Sequence, residues 1–268
     1  MTRPSTTPSK RGRKLKSQPE RMRDSAWAHD LHIRSGKTLG TLDREYGNRL
    51  GGNKLHRSSG AMSRYCKGHQ GPTPPSEDGS QVTWAQEAYP GTASVYESFI
   101  WDLLIERCTT KTPNVVNVRR LDQIDPLILQ RIPEVVHQFD ATPFPELSEL
   151  GCKALAEVEH LDALGFLLVQ VLITPEFSPA WNAVFYSRQW LKRWTHVIPY
   201  LKPIRERFLQ MLEQSVPRLG PLLGEFGIDP EKSEAQDRTD VSASEGRVRD
   251  RVRAEKLALE KIWAEESI

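Results

Sequence analysis

Residues 181–212 read WNAVFYSRQWLKRWTHVIPYLKPIRERFLQML. Trp181, Val184, Phe185, Trp190, Leu191, Trp194, Ile198, Leu201, Ile204, Phe208, Met211 and Leu212 recur there mostly at three- and four-residue steps, the period of helices with one face on a core. Pro199 and Pro203 lack the backbone N–H that a helix interior uses, so the run is expected to kink or divide between them. No stretch of the chain alternates convincingly as a strand does, and the fold class expected is all-α.

Upstream, residues 146–173 read as one or two helices ending in the apolar run Leu164–Ile173, which at ten residues is too short to span a bilayer and suits a buried core helix. Thr174-Pro175 stops that helix and Ser178-Pro179 restarts the chain. Val95, Phe99, Leu103 and Leu104 mark one helix, and Asp125-Pro126 opens another as cap and first position. Asp229–Gly246 is polar and free of aromatics and reads as a linker. Arg247–Ile268 reads as a last charged helix, with five basic and two acidic residues in its first half and one basic and three acidic in its second. That order opposes the helix dipole. An antiparallel second copy would match the two halves, with Val248, Val252, Leu259 and Ile262 as the seam, so a homodimer through this helix or through the helical domain is an expectation.

The charge is uneven. Residues 1–75 hold 16 Lys and Arg against 5 Asp and Glu, a net of +11, whereas residues 76–268 hold 21 against 30, a net of −9. Such an asymmetry points to a polyanionic partner for the first third of the chain; a solvated basic tail is the plainer alternative. Residues 1–24 are mostly Pro, Ser, Thr, Lys and Arg and are expected to form a disordered basic tail, with order beginning near Trp27. Ala26–Ser35 places Trp27, Leu31 and Arg34 on one helical face. Thr38 is a good N-cap for a second helix over Leu39, Leu42 and Tyr46, with Gly47 as its stop. Asn48–Arg57 is a basic, Gly-rich loop, a short helix fits Ser59–Tyr65, and Pro72–Ser76 with Gly79 reads as a linker before a helix over Val82–Ala88. The expected division is therefore a tail (1–24), a small module (25–92), a helical domain (93–228), a linker (229–246) and a charged helix (247–268).

The most specific local signal is Ser59-Gly60-Ala61-Met62-Ser63-Arg64-Tyr65-Cys66-Lys67-Gly68-His69-Gln70-Gly71-Pro72. A small polar residue opens a helix, Met62 anchors it, Ser63-Arg64-Tyr65 continues it, and Gly68 and Pro72 close it. This resembles the end of the helix-turn-helix of the lambda-repressor or Cro type, also called the xenobiotic-response-element type, and Thr38–Gly47 is similar to that family's preceding helix. The family has a turn of a few residues where Asn48–Ser58, eleven residues, stands here. The resemblance covers roughly residues 36–90. It implies a recognition helix in the major groove, with Arg64 reading bases or gripping phosphate and Thr38, Lys54, Arg57, Ser59 and Lys67 on the backbone. Lys10-Arg11-Gly12-Arg13-Lys14 resembles an AT-hook without its usual following Pro, with Arg11 and Arg13 reaching A·T edges in a narrow minor groove.

Other chemistry finds little support. Cys66, Cys108 and Cys152 are few and scattered, which suits a reducing cytoplasm, and the N-terminus lacks the apolar region of a secretory signal. His29 and His32 with Cys66 and His69 have pairwise zinc-like spacing but match no common finger; surface histidines are the plainer reading, and no metal or cofactor is expected. Glu157–Asp162 reads as a solvated helix face. No phosphate-cradling loop, nucleophile elbow or zincin motif is present, so the chain is not expected to be an enzyme. The expectation is a sequence-preferring DNA-binding protein in the role of transcriptional regulator. The alternatives are a non-enzymatic assembly protein, for example in a mobile-element or defence system, whose basic N-terminus meets an anionic partner, and an enzyme without a legible motif.

Overall fold

The computed structural model describes residues 16–49, 60–109, 128, 130, 147–174 and 177–227. The fold is all-α, with no strand among the described residues. In chain order the helices are α1 (Gln18–Ser35), α2 (Leu39–Arg49), α3 (Ala61–Cys66), α4 (Gln81–Ala88), α5 (Thr92–Tyr96), α6 (Phe99–Thr109), α7 (Glu149–Ala156), α8 (Leu161–Ile173), α9 (Phe177–Trp194), α10 (Arg205–Ser215) and α11 (Leu222–Glu225). Two 3₁₀ turns, Lys202–Ile204 and Pro217–Leu219, flank α10. Residues up to Gly220 form one compact unit and Pro221 onward a second, of which α11 is the described helix.

Two helices organise the first unit. The first, α1, packs against α3, α5, α6 and α10. It starts at a capping box, where Glu20 N–H donates to Ser17 Oγ and Ser17 N–H donates back to Glu20 Oε2, with Pro19 in the first turn. Composition alone carries the tail to residue 24, but this cap starts the helix at Gln18. Met22, Ala26, Trp27, Ala28 and Leu31 are all buried on its inner face.

The second is α8, which packs on α6, α7 and α9. Eleven of its thirteen residues are buried. Gly165 is its point of closest approach to α6, since a Cβ there would lie 3.1 Å from Phe99 Cδ1 and 3.3 Å from Ile100 Cβ. In return α8 caps α6: Asp162 Oδ1 accepts from Ser98 Oγ at 2.5 Å and from Phe99 N–H at 2.9 Å. The acidic stretch Glu157–His160 is thus a turn rather than a solvated helix face, and Asp162 is buried in the first turn of α8. Of the one or two helices expected over 146–173, the turn makes two, α7 and α8.

The remaining boundaries follow from contacts that link distant residues. The helix expected over Val95–Leu104 is two, α5 and α6, with the break at Glu97-Ser98. Helix α2 runs through Gly47 to Arg49. The segment 72–79, expected as a linker, is pinned: Tyr46 Oη donates to Gly79 O, and Gln81 Oε1 accepts from Tyr65 Oη at 2.8 Å and from Thr73 N–H at 3.1 Å. Contacts also cross residue 92, because α1 packs on helices from both sides of it. Pro199 and Pro203 fall where the 181–212 run breaks between α9 and α10, as expected. Trp190 is buried and its indole N–H donates to Val158 O at 2.8 Å, whereas Trp181 is 55% exposed. No helix among the described residues is long and apolar enough to cross a membrane. The Asp125-Pro126 start, the linker 229–246 and the charged helix 247–268 lie outside the described residues.

Candidate nucleic-acid interface

At six residues α3 is too short to stand alone, and side chains from elsewhere hold it at both ends. At its N-terminus Met62 N–H donates to Asp43 Oδ1 of α2 at 3.1 Å, in a buried contact. At its C-terminus Cys66 O accepts from Ser25 Oγ of α1, and Lys67 O accepts from Arg207 Nη1 of α10 at 3.3 Å. His29 of α1 lies behind the same end, where the Cys66 backbone favours its charged form. These contacts satisfy carbonyls that a helix end otherwise leaves without partners. Gly68, with φ of 67°, turns the chain out of the helix and backs onto α1, where a Cβ would lie 3.1 Å from Arg21 O.

This bracing fixes what α3 shows to solvent. Ala61, Met62, Tyr65 and Cys66 are buried, and Tyr65 packs near Trp27 with ring centroids 6.3 Å apart. Ser63 and Lys67 are half-buried and Arg64 is exposed, its Nε donating to Gln70 Oε1 at 2.8 Å. Arg64 thus faces outward from α3, and Lys67 stands just past the helix's last residue. Thr38 is exposed at the start of α2, where its Oγ1 accepts from Thr41 N–H at 3.3 Å, so its hydroxyl serves as the helix cap. Arg11, Arg13, Lys54, Arg57 and Ser59 lie outside the described residues. Lys16, the first described residue, has its Nζ 2.6 Å from Asp24 Oδ2, next to Gly71, and Gly60 is the N-cap of α3.

Two basic residues at this face were not anticipated. Arg21 was counted within the tail, although the Ser17–Glu20 capping box would have placed it on a helix. Arg207 meets Lys67 across 140 residues, and no local pattern marks such a contact.

Burial sets the titration of the groups behind α3. The His29 imidazole is pushed down to about 4, first by burial and then by the positive fields of Arg207 and His32, against the Cys66 hydrogen bond. It is neutral at pH 7. Burial pushes the Cys66 thiol up to about 11, which leaves it protonated and unreactive. His29 and Cys66 do come together, yet no group of three His, Cys, Asp or Glu suited to a metal occurs among the described residues.

No family model, curated protein or solved structure matches this chain.

Proposed function

We propose that this chain is a DNA-binding protein of helix-turn-helix-like design, acting as a transcriptional regulator. The observation that carries the reading is the exposed Arg64 on a helix braced at both ends, with Lys67 just past its last residue, in the part of the chain (residues 1–75) that carries a net charge of +11. Phosphate contacts from arm, loop and Lys67 supply most of the affinity, and Arg64 contacts the duplex from the face of α3. The Asp43 carboxylate occupies the N-terminal amide of α3, so that end is closed to phosphate and the side of the helix does the work. A second reading is an assembly protein. It draws on the exposed apolar side chains Leu150, Trp181 and Phe185 in α7 and α9, the kind of surface that meets protein partners.

The test is fluorescence anisotropy of a labelled random duplex with the full chain, with residues 16–268 and with Arg64→Ala, across a salt series. The DNA reading expects steep salt dependence, a shallower slope for the truncation and weaker binding for Arg64→Ala. An absence of binding at low salt would overturn it and favour the protein partner.

A further inference from the structure

We propose that Arg207, Lys67 and Arg21 form a phosphate site at the C-terminal end of α3, completed by an arginine from the far end of the fold; its assignment to a duplex phosphate rests on the DNA-binding reading above. The C-terminal end of a helix ordinarily repels anions, because its exposed carbonyls carry the negative end of the dipole. Here those carbonyls are covered. Ser25 Oγ donates to Cys66 O and Arg207 Nη1 donates to Lys67 O, so the negative end is capped by donors, one of them a full cation.

The cations around it lack counter-ions. Arg207 spends one N–H on a carbonyl and Arg21 spends its Nε on Lys16 O at 3.2 Å. No carboxylate among the described residues pairs with Arg207, Lys67 or Arg21. Nearby cations are matched: on α1 Arg23 lies 4.0 Å from Asp24 and Arg34 meets Asp30 at 2.6 Å, and Lys16, just before the helix, meets Asp24 at 2.6 Å. Three unmatched cations meet the C-terminal end of α3: Lys67 follows its last residue, the half-buried Arg207 guanidinium reaches the Lys67 carbonyl, and Arg21 lies against Gly68, which makes a place for an anion that arrives from outside. A phosphate suits it, because the remaining N–H groups of Arg207 can bind two of its oxygens while Lys67 supplies a movable point charge. The body of the protein, through α10, thereby takes part in DNA contact. The field of Arg207 already depresses His29 behind the site, so the imidazole reports on anything that neutralises that charge.

The variant that decides is Arg207→Gln, which can keep a hydrogen bond to Lys67 O but carries no charge. Duplex binding is measured by anisotropy across a salt series, and inorganic phosphate is titrated into the DNA-free full chain while the His29 imidazole is followed by NMR. The site predicts that Arg207→Gln weakens duplex binding several-fold and lowers the salt slope by roughly one, as loss of one phosphate contact does, with the melting temperature unchanged. It also predicts that phosphate raises the His29 pKa in the wild type and not in Arg207→Gln. If the duplex does not bind at all but phosphate still moves His29 through Arg207, the DNA reading fails and the site stands as one for a free phosphate group. If Arg207→Gln leaves the salt slope unchanged while Lys67→Ala lowers it, and phosphate leaves His29 unmoved, Arg207 only braces α3 and the proposal is overturned. Should Arg207→Gln melt early, Arg207→Lys serves instead: retained slope with weaker affinity supports the site, and wild-type affinity overturns the bidentate role.

Discussion

Helices α8 and α3 are made in opposite ways. The first is thirteen residues long, almost wholly buried, and would be apolar in any context. The second is six residues long and exists because α1, α2 and α10 supply the partners for its ends. Apolar burial, at about 25 cal/mol per Å², stabilises α8 through its own side chains. Long-range hydrogen bonds position α3, and each contributes only about 1 kcal/mol net. The difference teaches where the fold keeps its strength and where it keeps its function. Damage to α8 should act on stability alone, and damage to the bracing of α3 should act on binding out of proportion to stability.

The largest effect is expected from Phe166→Ala, which removes a fully buried ring from α8. The cost is about 3–5 kcal/mol, a large part of the stability of a typical domain. Denaturant unfolding should show the loss, while the folded fraction keeps its DNA affinity and salt slope. A changed slope would mean that α8 and α3 are coupled and would collapse the contrast.

The next effect reaches α3 from its C-terminal end and is set by pH. In the unfolded chain His29 titrates near its ordinary 6.5, and in the folded chain only near 4. Between these values a proton binds the unfolded state preferentially. The stability that neutral His29 contributes is therefore complete above pH 6.5 and is lost as pH falls toward 4. The loss is on the order of 2 kcal/mol, reduced from the full shift because the ring is only partly buried. Arg207, His32 and Cys66 are the groups that bear on the ring. Asp24 and Asp30, pushed up mainly by burial, act in the opposite sense, so the decisive quantity is the wild type minus His29→Gln. That difference should shift against the wild type by about this amount as pH falls from 6.5 toward 4 and be level above pH 6.5. A difference constant across this range would show that the imidazole does not sense the folded environment.

How much of each helix the sequence disclosed follows from the same contrast. Periodicity and apolar runs made α8, α9 and α10 legible, and Pro199 with Pro203 marked the break in their path. Local chemistry marked α4 and the Gly68 close of α3, whereas α3 starts at Ala61 behind Gly60 and not at Ser59. The start of α1 was also legible, as Ser17–Glu20, but the basic composition around it drew the boundary to residue 24. What no local pattern carries is a side chain acting far away along the chain: Asp162 capping α6 across 63 residues, Asp43 holding Met62 across 19, and Arg207 reaching Lys67 across 140. Each of these residues reads as an ordinary surface charge until the fold brings its partner. Arg64 and Lys67 entered the candidate face through the resemblance of Ser59–Pro72 to a recognition helix, whereas Arg21 and Arg207 could not be joined to it from local pattern.

The smallest effect should be the most informative. Asp43→Ala removes the acceptor at the N-terminus of α3 and leaves a buried N–H without its side-chain partner. By the usual cost of a lost cap, stability should fall by about 1–2 kcal/mol, less than for Phe166→Ala. Binding should respond differently. With its first turn released, α3 no longer presents Arg64 and Lys67 in one orientation, and the duplex must now stabilise that orientation itself, so affinity falls beyond what the unfolded fraction explains. The salt slope should stay near wild type, because no cation has been removed. Weaker affinity at constant slope is the signature of a positioning residue, whereas Lys67→Ala lowers the slope. If Asp43→Ala lost stability and kept wild-type affinity, α3 would hold its orientation from its C-terminal end alone, and Ser25, His29 and Arg207 would be the whole of its frame.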